Sequence, residues 1–301
     1  MIGVLSIRRW KEDLVTMSPS PTIIGLLYPG FGAEDDFPAL EARLRGAVRL
    51  PLVHTSVGED AHRVDALLDL GSASRLAEGA RVLVAEHPDS VMWTCTSGSF
   101  VFGWEGAQRQ VSAVGDLLGL PVSSTSIAFV NALSSLGIHR VSVAASYPQD
   151  VAEHFVQFLS HGGMEVVHLG SHGIYTAAEV GTLGPDQVVE MVRGADADSA
   201  QAILVPDTAM HSLAWLDCLE DAVGKPVLTA NQVTVWEGLR IAGANTSLPG
   251  LGTLFGTRHR ASATPPRPKI RTRRCRQSTK DNDNGDGGAA TASRNPGEPT
   301  W

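Results

Sequence analysis

The sequence predicts an α/β protein of two pseudo-symmetric lobes, each a mainly parallel sheet flanked by helices, with the active-site cleft between them. Three observations predict it. Short apolar, β-branched runs alternate with stretches of helical spacing from residue 22 to 255, as βα units of parallel sheets do. Distinctive dipeptides recur in order: Tyr28-Pro29 is answered by Tyr147-Pro148, Cys95-Thr96 by Asp207-Thr208, and Pro121-Val122 by Pro226-Val227. Each half then reads strand, loop, helix, strand, polar loop, helix, strand. Two such copies placed face to face bring a thiol and a carboxylate to opposite walls of one cleft.

The expected strands cover 23–27, 48–53, 91–94, 122–123, 140–144, 165–169, 202–205 and 227–228. Helical spacing covers 36–44, 61–80, 106–118, 127–136, 148–161, 185–194, 212–223 and 234–242. Gly119, Gly137, Gly162, Gly224 and Gly243 close five of these, as helix C-termini favour. The N-terminal lobe is assigned to 22–125 and the C-terminal lobe to 126–243, with 234–255 expected to pack back on the first lobe. Residues 1–21 read as a disordered leader, and Met17, just before Ser-Pro-Ser-Pro, as an alternative start. Residues 257–301 lack apolar periodicity and read as a disordered basic tail.

With 301 residues, 43% hydrophobic and 19% charged, the chain has enough apolar material for two real cores. Its longest apolar runs, such as 81–85 and 202–206, are strand-sized, so no membrane span is expected. At the N-terminus the basic residues follow the short apolar stretch, and Glu12 and Asp13 interrupt it, so a secretory signal is not expected. A cytoplasmic location is the default. Three scattered cysteines make no disulfide framework, and no Cys/His cluster has metal-ligand spacing, so no metal is expected and Cys95 is available as a thiol. The net charge of −8 hides an asymmetry: the tail carries ten Lys/Arg against four Asp/Glu, so the body is more acidic still. An acidic body does not attract anions from a distance, and an anionic substrate must be held by local donors. The basic segment 267–276 is the one candidate for nucleic acid, and a solvated tail is the simpler reading.

Two loops carry the chemistry. Trp93-Thr94-Cys95-Thr96-Ser97-Gly98-Ser99 ends an apolar strand in a thiol, hydroxyls and a glycine. Strand carboxyl ends form the ligand crevice of parallel sheets. A thiol there becomes a thiolate where amides favour the anion, and the amides of Thr96, Ser97 and Gly98 could cradle a carboxylate or enolate oxygen. A buried, inert cysteine beside a tight turn is the plain alternative. Its mate, Val205-Pro206-Asp207-Thr208, ends in a carboxylate that could be a general base, a general acid or a helix N-cap. Pro29 and Gly30 end the first strand where the backbone can approach a ligand closely, and Tyr147 stands at the matching place in the second half. Glu34, Asp35 and Asp36 read as a helix N-terminus complementing its dipole before a metal site. His211 reads as an exposed or core histidine before a proton relay, and His62 carries no signal. Asn231-Gln232 either faces the cleft or caps the helix expected from 234, and Cys218 reads as a small core residue.

At these residues the chain resembles the aspartate/glutamate racemase superfamily, in its branch of maleate cis-trans isomerases and arylmalonate decarboxylases. The similarity rests on W-T-C-T-S-G-S at 93–99, the strand end at 204–213 and K-P-V-L-T-A-N-Q at 225–232. The resemblance implies a cofactor-independent enzyme acting on a carbon next to a carboxylate of a small dicarboxylate. It implies two cysteines, one per lobe. Cys95 matches the first of these, a position that is glycine in the decarboxylases, and a nucleophilic role follows for it. Thr96 and Ser97 match donors to the substrate carboxylate, Tyr147 matches a tyrosine that contacts it, and Thr208 serves the other lobe. The second cysteine is replaced by Asp207, and Gly32 stands where maleate isomerases tend to carry an asparagine. The implied activity is a maleate isomerase-like isomerisation; an arylmalonate decarboxylase-like lyase, a racemase-like enzyme and a non-catalytic dicarboxylate binder are the alternatives. A homo-oligomer is compatible with such folds, although no interface is legible.

Overall fold

The computed structural model describes residues 20–30 and 32–256; the leader and basic tail assigned from sequence lie almost wholly outside them. The first half runs β1 (Thr22–Tyr28), α1 (Asp36–Arg43), β2 (Val48–Arg49), β3 (Leu52–His54), α2 (Val64–Leu70), α3 (Ala73–Leu83), β4 (Ser90–Trp93), α4 (Ser97–Phe100), α5 (Gly103–Leu118), β5 (Val122–Ser124) and α6 (Thr125–Leu136). The second runs β6 (Arg140–Ala145), α7 (Gln149–His161), β7 (Glu165–Ser171), α8 (Ala177–Val180), α9 (Pro185–Gly194), β8 (Ala202–Val205), α10 (Leu216–Val223), β9 (Val227–Thr229), α11 (Ala230–Ile241) and α12 (Gly252–Phe255).

Every strand pair is parallel. The first sheet is ordered β2-β1-β4-β5, with β3 continuing the edge beside β1, and the second β7-β6-β8-β9. The duplication read from the dipeptides is therefore the duplication of the sheets: β1 corresponds to β6, β4 to β8, and β5 to β9. Cys95 and Asp207 each stand two residues past the end of their strand. The central strands β4 and β8 are buried along their whole length, as strands covered by helices on both faces must be.

Four elements differ from their sequence-based limits for identifiable reasons. The strand expected over 48–53 is split, because Pro51 has no N–H for the ladder, and the Leu50 amide turns to the Glu41 carboxylate instead (2.8 Å). The helix expected over 61–80 is two helices, broken where Ser72 adopts an extended conformation and starts α3. The helix expected from 212 starts at Leu216, because Asp36 Oδ2 accepts from the Ser212 and Leu213 amides (2.9 and 3.2 Å) and holds that stretch in a turn. The helix expected from 234 starts at Ala230: Gln232 Oε1 accepts from the Thr229 amide (3.2 Å), so the polar pair lies inside the first turn.

Helix α11 packs on α6 and against β1, β4 and β5 of the first sheet. Buried polar bonds fix its register there. Ser90 Oγ donates to the Gly238 carbonyl (2.8 Å), and Ser123 Oγ and Asn131 Nδ2 donate to Glu237 Oε1 (3.0 and 2.8 Å). Each such bond adds about 1 kcal/mol, and a slipped register would leave Glu237 with Arg240 of its own helix alone. Among the described residues no helix is long and apolar enough to cross a membrane.

Candidate active site

The carboxyl ends of both sheets converge on one cavity of about 50 Å³. Pro29 and Gly30 reach it from the end of β1, Cys95 and Ser97 from β4, and Asp207 and Thr208 from β8. Six of the eight residues singled out by sequence are thus brought together. The other two, Thr96 and Tyr147, are buried beside the cavity and do not line it.

Cys95 is 3% exposed. The Gly98 amide donates to its sulfur (3.2 Å) and the Ser97 hydroxyl lies 3.8 Å away. A Cβ on residue 98 would stand 3.1 Å from that sulfur, so glycine is what lets this amide come so near. Burial pushes the Cys95 thiol up to about 12, and the Asp207 charge adds to the rise, outweighing the amides and hydroxyl that pull the other way. Ser99, on the same turn, is absorbed by packing; its hydroxyl joins those of Ser124 and Ser126 in a buried cluster (2.9 and 2.7 Å).

Asp207, 5% exposed, is better provided with donors. Ser146 donates its hydroxyl to Oδ2 in a short hydrogen bond, and the Ala209 amide donates to Oδ1 (2.9 Å). Its backbone is held from both lobes. Tyr147 Oη donates to the Pro206 carbonyl (2.5 Å), and Tyr28 Oη donates to the Thr208 carbonyl (3.2 Å) while accepting from the Ala33 amide (3.0 Å). Burial raises both phenols, Tyr147 well above the ordinary tyrosine range, so they act as neutral donors. The Tyr147 proton, expected on a substrate carboxylate, is committed to Pro206 here.

Other sequence-based candidates move away from the chemistry. His211 Nε2 is paired with Asp35 Oδ1 (2.7 Å) on the outside. Asp36, with its carboxyl raised by burial, ties α1 to the 212–213 turn and to Asn231 Nδ2 (3.1 Å). Gly32 packs directly on the β8 loop: a Cβ there would lie 2.6 Å from Ala209 Cβ and 2.7 Å from its Cα, so no side chain fits. Cys218 is half-buried in α10, away from the cavity. Among the described residues no group of three or more His, Cys, Asp or Glu is placed to hold a metal ion.

The sequence missed one member. His62, 5% exposed, lines the cavity with Nε2 3.8 Å from Asp207 Oδ2 and its ring edge-on to Tyr147 at 4.9 Å. Its Nδ1 donates to the Ile174 carbonyl (2.8 Å), and its amide donates to the Tyr175 carbonyl (2.7 Å). Two residues earlier, Asp60 accepts from the Ala177 and Ala178 amides at the start of α8 (2.8 and 3.1 Å). A first-lobe loop is thereby fastened across the cleft to the second lobe. No spacing rule announces a histidine whose partners are more than a hundred residues away.

The family model for arylmalonate decarboxylase matches residues 70–255, more than half of the chain and both reactive strand ends. The chain belongs to the arylmalonate decarboxylase family. Among relatives of this family, the maleate isomerase of Alcaligenes faecalis is 30% identical over 137 residues, 45% of this chain and 54% of that protein. The arylmalonate decarboxylase of Bordetella bronchiseptica is 28% identical over 183 residues, 60% of this chain and 76% of that protein. The chain spans about half the length of the first curated relatives it matches; for the maleate isomerase of Geobacillus stearothermophilus the share is 56%. A liganded double mutant of arylmalonate decarboxylase superposes with a TM-score of 0.70 at 26% identity, covering 78% of this chain and 98% of that one.

Proposed function

We propose that this member of the arylmalonate decarboxylase family is a cofactor-independent enzyme acting on a small dicarboxylate, an isomerase of the maleate cis-trans type in which Cys95 is the nucleophile. The observation that carries the reading is the placement of Cys95 and Asp207 on one cavity, from equivalent ends of β4 and β8. A thiolate beside a carboxylate, both buried, is the costliest charge arrangement the pair can adopt. The resting pair is therefore read as thiol and carboxylate. As substrate binds, the Cys95 proton passes to Asp207 and the sulfur bonds to one alkene carbon. The π pair moves onto the other carbon and its carboxylate as an enediolate. Rotation about the resulting single bond, expulsion of sulfur and return of the proton complete the cycle.

In this reading Ser97 stabilises a carboxylate oxygen on the first wall, with Thr96 packed behind it and the Gly98 amide kept on the Cys95 sulfur, Pro29 and Gly30 shape the floor, and Thr208 faces the second carboxylate. Tyr147 acts through Pro206, holding Asp207 in place. The curated maleate isomerases among the relatives support the substrate class. The raised thiol of Cys95 favours a second reading, decarboxylation, because a thiol that keeps its proton is equipped to deliver it to a carbanion. Incubation with maleate and with substituted malonates, followed by proton NMR, separates them. Fumarate from maleate is expected; carbon dioxide release from the malonates with maleate untouched assigns the lyase, and no turnover of either assigns a binder.

A further inference from the structure

A dicarboxylate in this cavity raises a charge problem that the residues so far described leave open. Among the described residues no lysine or arginine lines the cavity, while Asp207, Glu59 and Asp60 all do. Two of these carboxylates are already occupied. Glu59 is paired with Arg63 (3.0 Å), and both oxygens of Asp60 accept the amides of α8. The remaining titratable groups facing His62 are Asp207 from the β8 loop, Cys95 from the β4 loop, and the phenols of Tyr28 and Tyr147, which burial keeps neutral. An uncompensated dianion beside the Asp207 carboxylate in a space of about 50 Å³ would be held with no cation in reach.

Among the described residues His62 is the one lining side chain able to become a cation. Its Nδ1 proton is fixed by the Ile174 carbonyl, which can only accept, so the ring nitrogen left to take a second proton is Nε2. That atom lies 3.8 Å from Asp207 Oδ2, at the cavity wall. We infer that His62 is a substrate-binding residue: as an imidazolium, its Nε2–H sits between Asp207 and one carboxylate of the bound dicarboxylate, and binding takes up a proton from solvent at this ring. The inference rests on the dicarboxylate reading above and adds the residue and charge state that make such a ligand tolerable in an acidic pocket. The sign follows from linkage. Affinity is highest below the pH at which the free ring loses its second proton and falls above it, approaching ~10-fold per pH unit.

Titration calorimetry with succinate, a saturated dicarboxylate that addition chemistry cannot consume, tests this in buffers of different ionisation enthalpy. On the limb where affinity falls with rising pH, the wild-type chain is expected to take up close to one proton per succinate bound, and the uptakes of the variants are compared there. His62→Asn keeps a donor near the Ile174 carbonyl and removes Nε2; it is expected to lose the uptake and to bind succinate at least ~10-fold more weakly at pH 6, with a flat pH dependence. Asp207→Asn is expected to reduce the need for a cation and to tighten binding. Zero proton uptake by the wild-type chain, or uptake retained in folded His62→Asn and lost in Asp207→Asn, overturns the assignment whatever the stability of either variant. Failure of succinate and maleate to bind the wild-type chain overturns the dicarboxylate reading and this inference with it, an outcome distinct from binding without uptake.

Discussion

The loops that follow β4 and β8 occupy equivalent places in the duplicated sheets and end in opposite chemistry. Both place a titratable side chain two residues past the strand, and both are almost fully buried. The β4 loop offers its thiol one amide and a hydroxyl at 3.8 Å, too little to offset burial, which pushes the thiol up to about 12. The β8 loop gives its carboxylate the Ser146 hydroxyl and the Ala209 amide, and is itself braced by a tyrosine from each lobe. Equal burial therefore does not produce equal walls; the number of donors aimed at each group does. With two thiols, such a fold has interchangeable walls. With a thiol and a braced carboxylate, the proposed mechanism has one wall hold the proton and the other remove it.

The largest expected effect comes from erasing the thiol wall. Cys95→Ser should lower isomerisation by about 10³-fold or more with the fold intact, as loss of a covalent nucleophile does elsewhere. Residual activity within about tenfold of wild type would assign the chemistry to the other wall. Next, Asp207→Asn should cost about 10²–10⁴-fold in kcat, the range of a general acid–base, and leave the melting temperature nearly unchanged, because the amide oxygen can still accept from the Ala209 N–H while the amide nitrogen donates to the Ser146 hydroxyl. Asp207→Cys would restore the two-thiol arrangement and tests whether symmetry or proton storage matters. Alkylation of Cys95 by iodoacetamide in the empty protein should rise about tenfold per pH unit from pH 7 to 9 without a plateau, because the thiolate fraction is small throughout that range. A plateau near neutral pH would mean that the amides, not burial, dominate. The smallest effects concern the braces. Tyr28→Phe leaves the Ala33 amide and the Thr208 carbonyl without partners and should destabilise by about 2 kcal/mol, whereas Tyr147→Phe strands only the Pro206 carbonyl and should cost about 1 kcal/mol. Denaturant midpoints of the two variants check the order.

Much of this architecture was legible because it repeats. The strand ends that carry Cys95 and Asp207 follow from pattern alone, since a parallel strand covered on both faces is a short apolar run and the loop after it borders the crevice. What was not legible depends on partners distant in sequence. Asp36 opens α1, as the acidic trio suggests, but its hold on the amides at 212 and 213 has no sequence signal. The bond from Tyr147 to the Pro206 carbonyl exists only once β6 and β8 pair. His62 sits in a loop with no periodicity, and only the hydrogen bonds to Ile174 and Tyr175 turn it into the cavity. Gly32 shows the converse: the missing side chain was visible, and the reason, the Ala209 backbone of the other half lying against it, was not.

The central claim, that the Cys95 sulfur bonds to substrate while Asp207 takes its proton, is tested most directly by acid-quenching the enzyme during turnover of maleate and weighing its peptides. A succinyl adduct on the peptide containing Cys95 is predicted, depleted in Asp207→Asn, which lacks the carboxylate that takes the thiol proton, and absent from Cys95→Ser. Sustained conversion of maleate by Cys95→Ser, with no adduct on any cysteine of the wild-type chain, would contradict it.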